Sequence, residues 1–339
     1  MRRLILSTVL SAVTIAIQAI TPLWMRDVQI SPDGKQIAFC YKGDIYLVPA
    51  EGGNAIQLTA SESYEQTPVW SPDSKTIAFA SDRYGNFDIF TISAKGGTAT
   101  RLTFSSVAET PQTFTPDGRG IIFSASIQDP ASSAAFPRSS LGELYSVPVG
   151  GGRTSQVLGT PALAVNYSPK GDFLLYQDNK GMESTWRKHH ISSVTRDIWK
   201  YDIKNGTHTN LTNRPGEDLN PILGADGKTI FILSEPADGD GHPKPSGWQT
   251  SINVYSFQLD RPGNLTQVSS FKTHPVRFLS RGGDLLCYTW DGEIYTQVPG
   301  SRPKKVDIDL TRYDDAIPEL KTQSSGAGDA AVSPDGKQM

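Results

Sequence analysis

The sequence predicts an all-β protein, a six-bladed β-propeller whose blades are four-stranded and antiparallel and whose ring closes without strand exchange. The first observation is a nine-residue motif that recurs at intervals of 40 to 56 residues. Its complete copies are SPDGKQIAF (31–39), SPDSKTIAF (71–79), TPDGRGIIF (115–123), SPKGDFLLY (168–176), GADGKTIFI (224–232) and SRGGDLLCY (280–288). Repeats of this length are typical of stacked structural units.

The second observation is that two further landmarks follow each copy. One is an acidic or amide residue followed by an aliphatic and an aromatic residue, as in Asp44-Ile45-Tyr46 and Asn253-Val254-Tyr255. The other is a Gly-containing turn, often followed by Leu-Thr, as at 58–59 and 102–103. Pro, Asp and Gly favour tight turns between antiparallel strands, so each repeat predicts four strands.

A four-stranded sheet of this size cannot cover its own two apolar faces. Radial arrangement of six such sheets covers both faces and leaves only short outer edges, which is a propeller. Each repeat runs in phase from an inner to an outer strand between residues 22 and 310. We therefore expect only side-chain packing to join blade six to blade one.

Composition is consistent with this fold and excludes other classes. The 339 residues include 31 Gly and 23 Pro, with 37% hydrophobic and 20% charged residues, which suits a turn-rich globular protein. The formal net charge is −3. Since no basic stripe is present, no nucleic-acid partner is expected.

The N-terminus predicts export. Arg2 and Arg3 precede an apolar stretch at 4–16, and Ala19 is a suitable residue before a cleavage site. The alternative is a membrane anchor, but polar residues interrupt the roughly 20 apolar positions that a span needs. We expect residues 1–19 to be a signal peptide and the protein to be periplasmic.

Cys40 and Cys287 are the two cysteines, and they lie on equivalent strands of the first and last repeats. A disulfide is one interpretation, but packed sheets lie about 10 Å apart, beyond the reach of a bridge. Two buried thiols are therefore the favoured interpretation.

The C-terminal residues indicate a further domain. Residues 311–330 are expected to be a linker, and AVSPDGKQM (331–339) repeats the motif that elsewhere leads into a strand. We interpret 331–339 as the truncated start of a second propeller.

Three adjacent repeats carry insertions between their second and third strands, at 129–140, 179–195 and 235–250. Loops on one rim are where function usually lies. The blade-four insertion is the most specific, and its candidate contact residues for an anionic group or a partner domain are Trp186, Arg187, Lys188, His189, His190 and Arg196. The alternative is a loop held by its own ion pairs, for example Arg187 or Arg196 with Glu183 or Asp197. A His-His pair without other spaced ligands does not predict a metal site.

The repeat resembles that of exported propellers found in Tol–Pal translocation proteins, prolyl-oligopeptidase relatives and tricorn-type proteases. The segment WRKHHISSVTRDIW (186–199), six blades near the N-terminus and the opening of another propeller at 331 are similar to tricorn-type serine peptidases. In that family the catalytic core follows the propellers, so no catalytic residue, metal or cofactor is predicted in this chain.

The resemblance implies a non-catalytic propeller that filters or guides peptides to a catalytic core absent from this chain, which alone is not expected to be an enzyme. Expected partners are peptides or unfolded polypeptide, downstream peptidase domains of the same chain and, as a further option, a second copy in a homo-oligomer. Two alternatives stay open. One is a Tol–Pal-like periplasmic protein-binding propeller, and the other is a polysaccharide-acting propeller with His-bound metal, which His208, His242 and His274 would supply.

Overall fold

The structure, a computed structural model, describes residues 22–127, 141–184, 189–235, 251–310, 333–335 and 337. Within these ranges the chain forms strands without helices, arranged in six sheets. Accordingly, no described helix has the length and apolarity needed to cross a membrane. The predicted signal peptide (1–19) and linker (311–330) lie outside the described residues.

Each sheet takes four consecutive strands, which confirms the six four-stranded antiparallel blades. Blades one to three contain β1 (Arg26–Ile30), β2 (Gln36–Tyr41), β3 (Asp44–Pro49), β4 (Gly53–Gln57); β5 (Glu65–Trp70), β6 (Thr76–Ser81), β7 (Asp88–Ser93), β8 (Thr100–Arg101); and β9 (Glu109–Phe114), β10 (Gly120–Ala125), β11 (Glu143–Pro148), β12 (Ser155–Leu158). Blades four to six contain β13 (Ala162–Tyr167), β14 (Phe173–Asp178), β15 (Ile198–Asp202), β16 (Thr207–Asn210); β17 (Asp218–Leu223), β18 (Thr229–Ser234), β19 (Asn253–Gln258), β20 (Arg261–Gln267); and β21 (Arg277–Gly282), β22 (Leu285–Trp290), β23 (Glu293–Gln297), β24 (Lys304–Lys305).

The recurring motif forms the turn between the first two strands of a blade. In blade one, Ser31 Oγ donates to Asp33 Oδ1 at 2.6 Å, and the same oxygen accepts from Lys35 N at 3.1 Å. Gly34 has φ of 73°, a left-handed conformation that favours glycine. The turn chemistry read from the sequence is therefore confirmed.

The other two landmarks meet at the end of blades one, two, four and five. Ile198 N donates to Thr212 Oγ1 at 3.0 Å, and Thr212 Oγ1 donates to Asp197 Oδ1 at 3.2 Å. Blade five repeats the arrangement with Asn253 and Ser269, whose side-chain oxygens are 2.9 Å apart. The short acidic or amide residue thus fixes the hydroxyl that ends the outer strand.

The innermost strands carry a feature that the sequence did not predict. In five of the six, the register shifts beside a residue with positive φ that is not glycine: Asp27, Thr67, Ala164, Asn220 and Phe278. Such a conformation is strained for a side-chain-bearing residue. Side chains of the preceding blade bond the exposed N–H groups, as Gln112 Oε1 does for Ala164 N at 2.7 Å.

Apolar clusters between neighbouring blades form the core. One cluster joins Cys40 of blade one to Phe79 of blade two, whereas another joins Cys287 of blade six to Phe39 of blade one. Cys40 thus lies on the side of blade one that packs against blade two, whereas Cys287 lies in blade six and packs against the other side of blade one. Both are buried free thiols. The interpretation of two buried thiols is confirmed.

The junction between blades one and six corrects a prediction. A fifth strand, β25 (Ile308–Leu310), follows blade six and pairs in parallel with β4, with Ile308 opposite Gly53 and Leu310 opposite Ala55. In addition, Ile30 N donates to Ser280 Oγ at 3.1 Å. The expectation that side-chain packing alone joins these blades is therefore wrong, because main-chain hydrogen bonds also join them.

The loops between second and third strands lie on the same rim as the segments that lead from blade to blade. Glu65 N donates to Gly43 O at 2.8 Å, and Asp218 N donates to Arg196 O at 3.0 Å. We call this side the insertion rim, because the three predicted insertions belong to it. Residues 129–140, and all but Glu235 of the blade-five insertion, lie outside the described residues.

The β25 strand should contribute measurably to stability. Ile308 is buried in the cluster shared by blades one and six, so Ile308→Ala should lower the free energy of unfolding by about 3 kcal/mol. Asp309 is exposed on the same strand, and Asp309→Ala should change it by less than about 0.5 kcal/mol. Urea unfolding of both variants measures the difference. If both variants lower the free energy of unfolding by the same small amount, β25 does not stabilise the junction between blades one and six.

Candidate functional site

The structure describes three of the six predicted contact residues. Trp186, Arg187 and Lys188 lie outside the described residues. His190 and Arg196 are buried in one cluster on the insertion rim, and His189 has an exposed side chain beside them.

His190 lies between two carboxylates. Its Nδ1 is 2.7 Å from Glu217 Oε1, and its Nε2 forms an ion pair with Glu183. Both ring nitrogens of His190 therefore lie within ion-pair distance of a carboxylate oxygen. Glu217 is buried at the entrance to β17, so this contact fastens the blade-four insertion to blade five.

Arg196 adds a second cation to Glu217. Its Nη1 is 3.1 Å from Glu217 Oε1, its backbone N donates to Glu217 Oε2 at 3.2 Å, and its Nη2 donates to Glu183 O at 2.9 Å. A buried guanidinium with a carboxylate and a carbonyl partner is a well-satisfied charge. Glu183 is thus a partner of Arg196, as the ion-pair alternative predicted. The acceptor, however, is the backbone carbonyl of Glu183 and not its carboxylate.

His189 is held by blade five. Its backbone N donates to Glu235 Oε2 at 2.7 Å, and its Nδ1 is 3.1 Å from Glu235 Oε1. The insertion of blade four therefore contacts the first residue of the blade-five insertion. That these residues contact a substrate or partner stays a prediction.

Glu217 and Glu235 are the residues that sequence reasoning missed. They lie in neither repeat landmark, and each is more than 20 residues from the cation it holds. Glu65 and Glu109, the first residues of β5 and β9, correspond to Asp218, the first residue of β17, so the repeat marks the neighbour of Glu217 but not Glu217 itself.

Buried carboxylates continue along the insertion rim into the first three blades. Burial raises the pKa of Asp44 to about 6, and the neighbouring Glu65 carboxylate adds to the rise. Burial likewise raises the pKa of Glu109 to about 7, with a further contribution from Asp88. Asp44 and Glu65 thus form one pair of carboxyl groups, with Arg83 beside Glu65. Asp88 and Glu109 form a second pair, with Arg101 beside Asp88.

The axis of the ring contains a small cavity of about 160 Å³. Every inner strand contributes to its wall, through Gln29, Val69, Gln112, Ala164, Asn220 and Arg281. Side-chain amides in this wall are bonded to the backbone, as in Leu223 N donating to Asn166 Oδ1 at 2.9 Å. A polar cavity of this size has room for water molecules.

The described residues therefore supply charged and polar groups for binding. Among them, no group of three or more His, Cys, Asp or Glu side chains is arranged to hold a metal ion. Within the described residues, Lys180 and Arg196 are paired with carboxylates, whereas the carboxylates of blades one to three outnumber the cations beside them.

These features define a propeller domain with an elaborated rim. Residues 22–302 match the model of the family described as the tricorn protease N-terminal β-propeller domain, so the chain belongs to this family. A curated relative, the uncharacterized peptidase YuxL of Bacillus subtilis (strain 168), is 32% identical over 72 residues, which cover 18% of this chain and 11% of that protein.

Solved structures share the fold at low identity. The tricorn protease has a TM-score of 0.67 and 20% identity, and the match covers 89% of this chain and 27% of that chain. A TolB structure from Agrobacterium tumefaciens has a TM-score of 0.57 and 17% identity, with coverage of 76% and 86%. An acylaminoacyl peptidase from Pyrococcus horikoshii has a TM-score of 0.50, 15% identity and coverage of 81% and 43%.

The Glu217 cluster gives a first prediction. Glu217→Gln keeps the side-chain shape but leaves the buried Arg196 without its carboxylate, so the free energy of unfolding should fall by about 3 kcal/mol. Glu183→Gln alters a half-exposed carboxylate and keeps the carbonyl bond to Arg196, so it should cost less than about 1 kcal/mol. Urea unfolding distinguishes them, and equal losses would contradict the assigned cluster.

Glu109 gives a second prediction. Because its pKa is raised to about 7, the folded protein holds a proton between pH 5 and pH 7 that the unfolded chain releases. This group therefore makes the unfolding free energy fall as pH rises from 5 to 8. Glu109→Gln lacks the titratable carboxyl group. The unfolding free energy of this variant relative to that of wild type should therefore rise by about 2 kcal/mol between pH 5 and pH 8.

The matched control is Asp117→Asn. Asp117 is exposed, and a hydrogen bond from Thr115 lowers its pKa, so it stays ionised above pH 5 in both states. The difference in unfolding free energy between Asp117→Asn and wild type should be constant between pH 5 and pH 8. Urea unfolding at both pH values measures this, and parallel curves for Glu109→Gln and wild type would refute the assignment.

Proposed function

We propose that this chain is the non-catalytic propeller portion of an exported tricorn-like serine peptidase. In this proposal it filters or guides peptides to a catalytic core elsewhere in the parent protein, and residues 1–19 direct it to the periplasm. The observation that carries the proposal is the family match over residues 22–302, which spans nearly the whole predicted propeller. The chain corresponds to 27% of the tricorn protease, which leaves the core to the rest of the parent.

The geometry of the insertion rim supports a binding role. The blade-four insertion is fastened to blade five through Glu217 and Glu235, which hold His190 and His189 in place. Rigidly supported loops bind with a smaller entropic cost than free ones. The three insertions belong to this rim, so it is the surface on which we expect peptides to be handled.

The second candidate is a Tol–Pal-like periplasmic propeller that binds protein partners without hydrolysis. It is favoured by the TolB structure, because that match covers most of both chains. The two candidates differ in ligand, since the first requires binding of unfolded polypeptide and the second requires binding of a folded protein.

A binding and cleavage assay tests the proposal. The chain from residue 20 onward should bind fluorescein-labelled, reduced and carboxymethylated α-lactalbumin with micromolar affinity, and mass spectrometry should detect no cleavage. Arg187→Ala/Lys188→Ala should weaken binding at least threefold, because it removes two of the predicted contact cations. Lys204→Ala, in the exposed turn between β15 and β16 on the opposite rim, is the control and should bind as wild type.

Failure takes two forms. Turnover that survives rigorous purification would contradict a non-catalytic role for this chain. Absence of binding to the unfolded polypeptide would remove the peptide-guiding function and leave the protein-binding candidate.

A further inference from the structure

Exposed aromatic side chains gather on one sector of the insertion rim. Tyr84 is 63% exposed, Phe104 is 74% exposed and Tyr64 is 44% exposed. They come from the loop of blade two and the two segments that flank this blade. We call the surface formed by Tyr64, Tyr84, Arg101 and Phe104 the aromatic rim.

The aromatic rim already holds one guanidinium group. The Cζ atom of Arg101 lies 4.5 Å from the ring centre of Tyr84 and 4.6 Å from that of Phe104. Its Nη2 is 2.7 Å from Asp88 Oδ2, and its Nε donates to Thr103 O at 2.8 Å. The two rings thus stack on a planar cation of the chain itself, and Tyr84 also stacks on Phe90 with ring centres 6.2 Å apart.

Hydrogen bonds make the aromatic rim rigid. Asn86 Nδ2 donates to Ser105 O at 3.1 Å and to Val107 O at 2.9 Å, which ties the Tyr84 loop to the Phe104 segment. Tyr64 N donates to Asp82 Oδ1 at 2.7 Å. The backbone segments that carry these rings are therefore fixed relative to each other, which lowers the conformational entropy lost on binding.

The sector around the aromatic rim is acidic. Segments 41–44, 58–65, 81–88 and 101–109 contain six carboxyl groups and three cations, a formal charge of −3. The charged residues are Lys42, Asp44, Glu62, Glu65, Asp82, Arg83, Asp88, Arg101 and Glu109. Because Asp88 Oδ2 lies 2.7 Å from Arg101 Nη2, the charge of that arginine is offset and repels a second cation less.

We infer that the aromatic rim binds the arginine-bearing segments of peptides, with ligand guanidinium groups stacked on Tyr84 and Phe104. Charge complementarity favours a cationic occupant, and the exposed rings favour a planar one. Arginine satisfies both conditions, whereas lysine satisfies only the first. This inference rests on the proposed peptide-guiding function and names the class of peptide that it would select.

The test is fluorescence anisotropy with the chain from residue 20 onward. The probes are three fluorescein-labelled octapeptides in which four residues are arginine, lysine or glutamate and the other four are serine. The arginine peptide should bind at least threefold more tightly than the lysine peptide, and the glutamate peptide should not bind. Raising the pH from 6 to 8 should strengthen arginine-peptide binding about threefold, because Asp44 and Glu109 become ionised.

Variants locate the interaction. Tyr84→Ala/Phe104→Ala should weaken arginine-peptide binding at least tenfold, and Glu62→Lys, at an exposed position, should weaken it about threefold. The matched control is Ile203→Ala/Val298→Ala, which removes two exposed apolar side chains from turns on the opposite rim. Circular dichroism melting shows that each variant is folded, and Glu62→Lys keeps the test valid if the aromatic double variant does not fold.

The outcomes separate the two proposals. Equal affinity for arginine and lysine peptides, or wild-type affinity in the aromatic double variant, overturns the aromatic-rim site. If carboxymethylated α-lactalbumin still binds, the peptide-guiding function survives that result. If neither α-lactalbumin nor the arginine peptide binds, both proposals fail.

Discussion

The constraint on which this structure depends is that each four-stranded sheet has two apolar faces and can cover neither. Phe39, Phe79 and Phe123 are fully buried on second strands of successive blades, and each lies in a cluster shared with a neighbouring blade. Radial stacking covers both faces of every sheet, so no blade is stable without its neighbours. This dependence makes the junction between blades one and six decisive, and β25 strengthens it with main-chain bonds.

The same stacking determines the electrostatics of the insertion rim. Strand ends of adjacent blades converge there, which buries the carboxylates that begin inner and third strands. Where cations come from an insertion, as with His190 and Arg196, the burial of Glu217 is compensated. Burial raises the pKa of carboxyl groups in both halves of the rim, of Asp218 beside Arg214 as well as of Asp44 and Glu109. The rim therefore has an internally paired sector and an acidic sector.

Repetition made the fold predictable, and features that occur once were missed. The turn at Ser31 to Gly34 and the Asp197–Thr212 pair follow from local chemistry that recurs in the sequence. The β25 strand has three residues and lies beyond the last repeat, so no periodicity indicated it. Likewise, Tyr84 and Phe104 are 20 residues apart in separate loops, and only the fold brings both onto Arg101. Arg196 was recognised as a notable cation, but its buried partner Glu217 could not be identified from sequence spacing.

The small axial cavity has a consequence for how such a domain would act on peptides. Because amide side chains in its wall are bonded to backbone groups of adjacent blades, widening the cavity would break hydrogen bonds of the ring itself. The insertion rim has no such restriction, since its loops add side chains without altering the blades. Selection among peptides would then depend on rim chemistry, and an acidic aromatic sector selects by charge and planarity rather than by diameter. On this argument, related propellers could change their peptide preference by replacing a few rim residues while the stacked sheets stay the same.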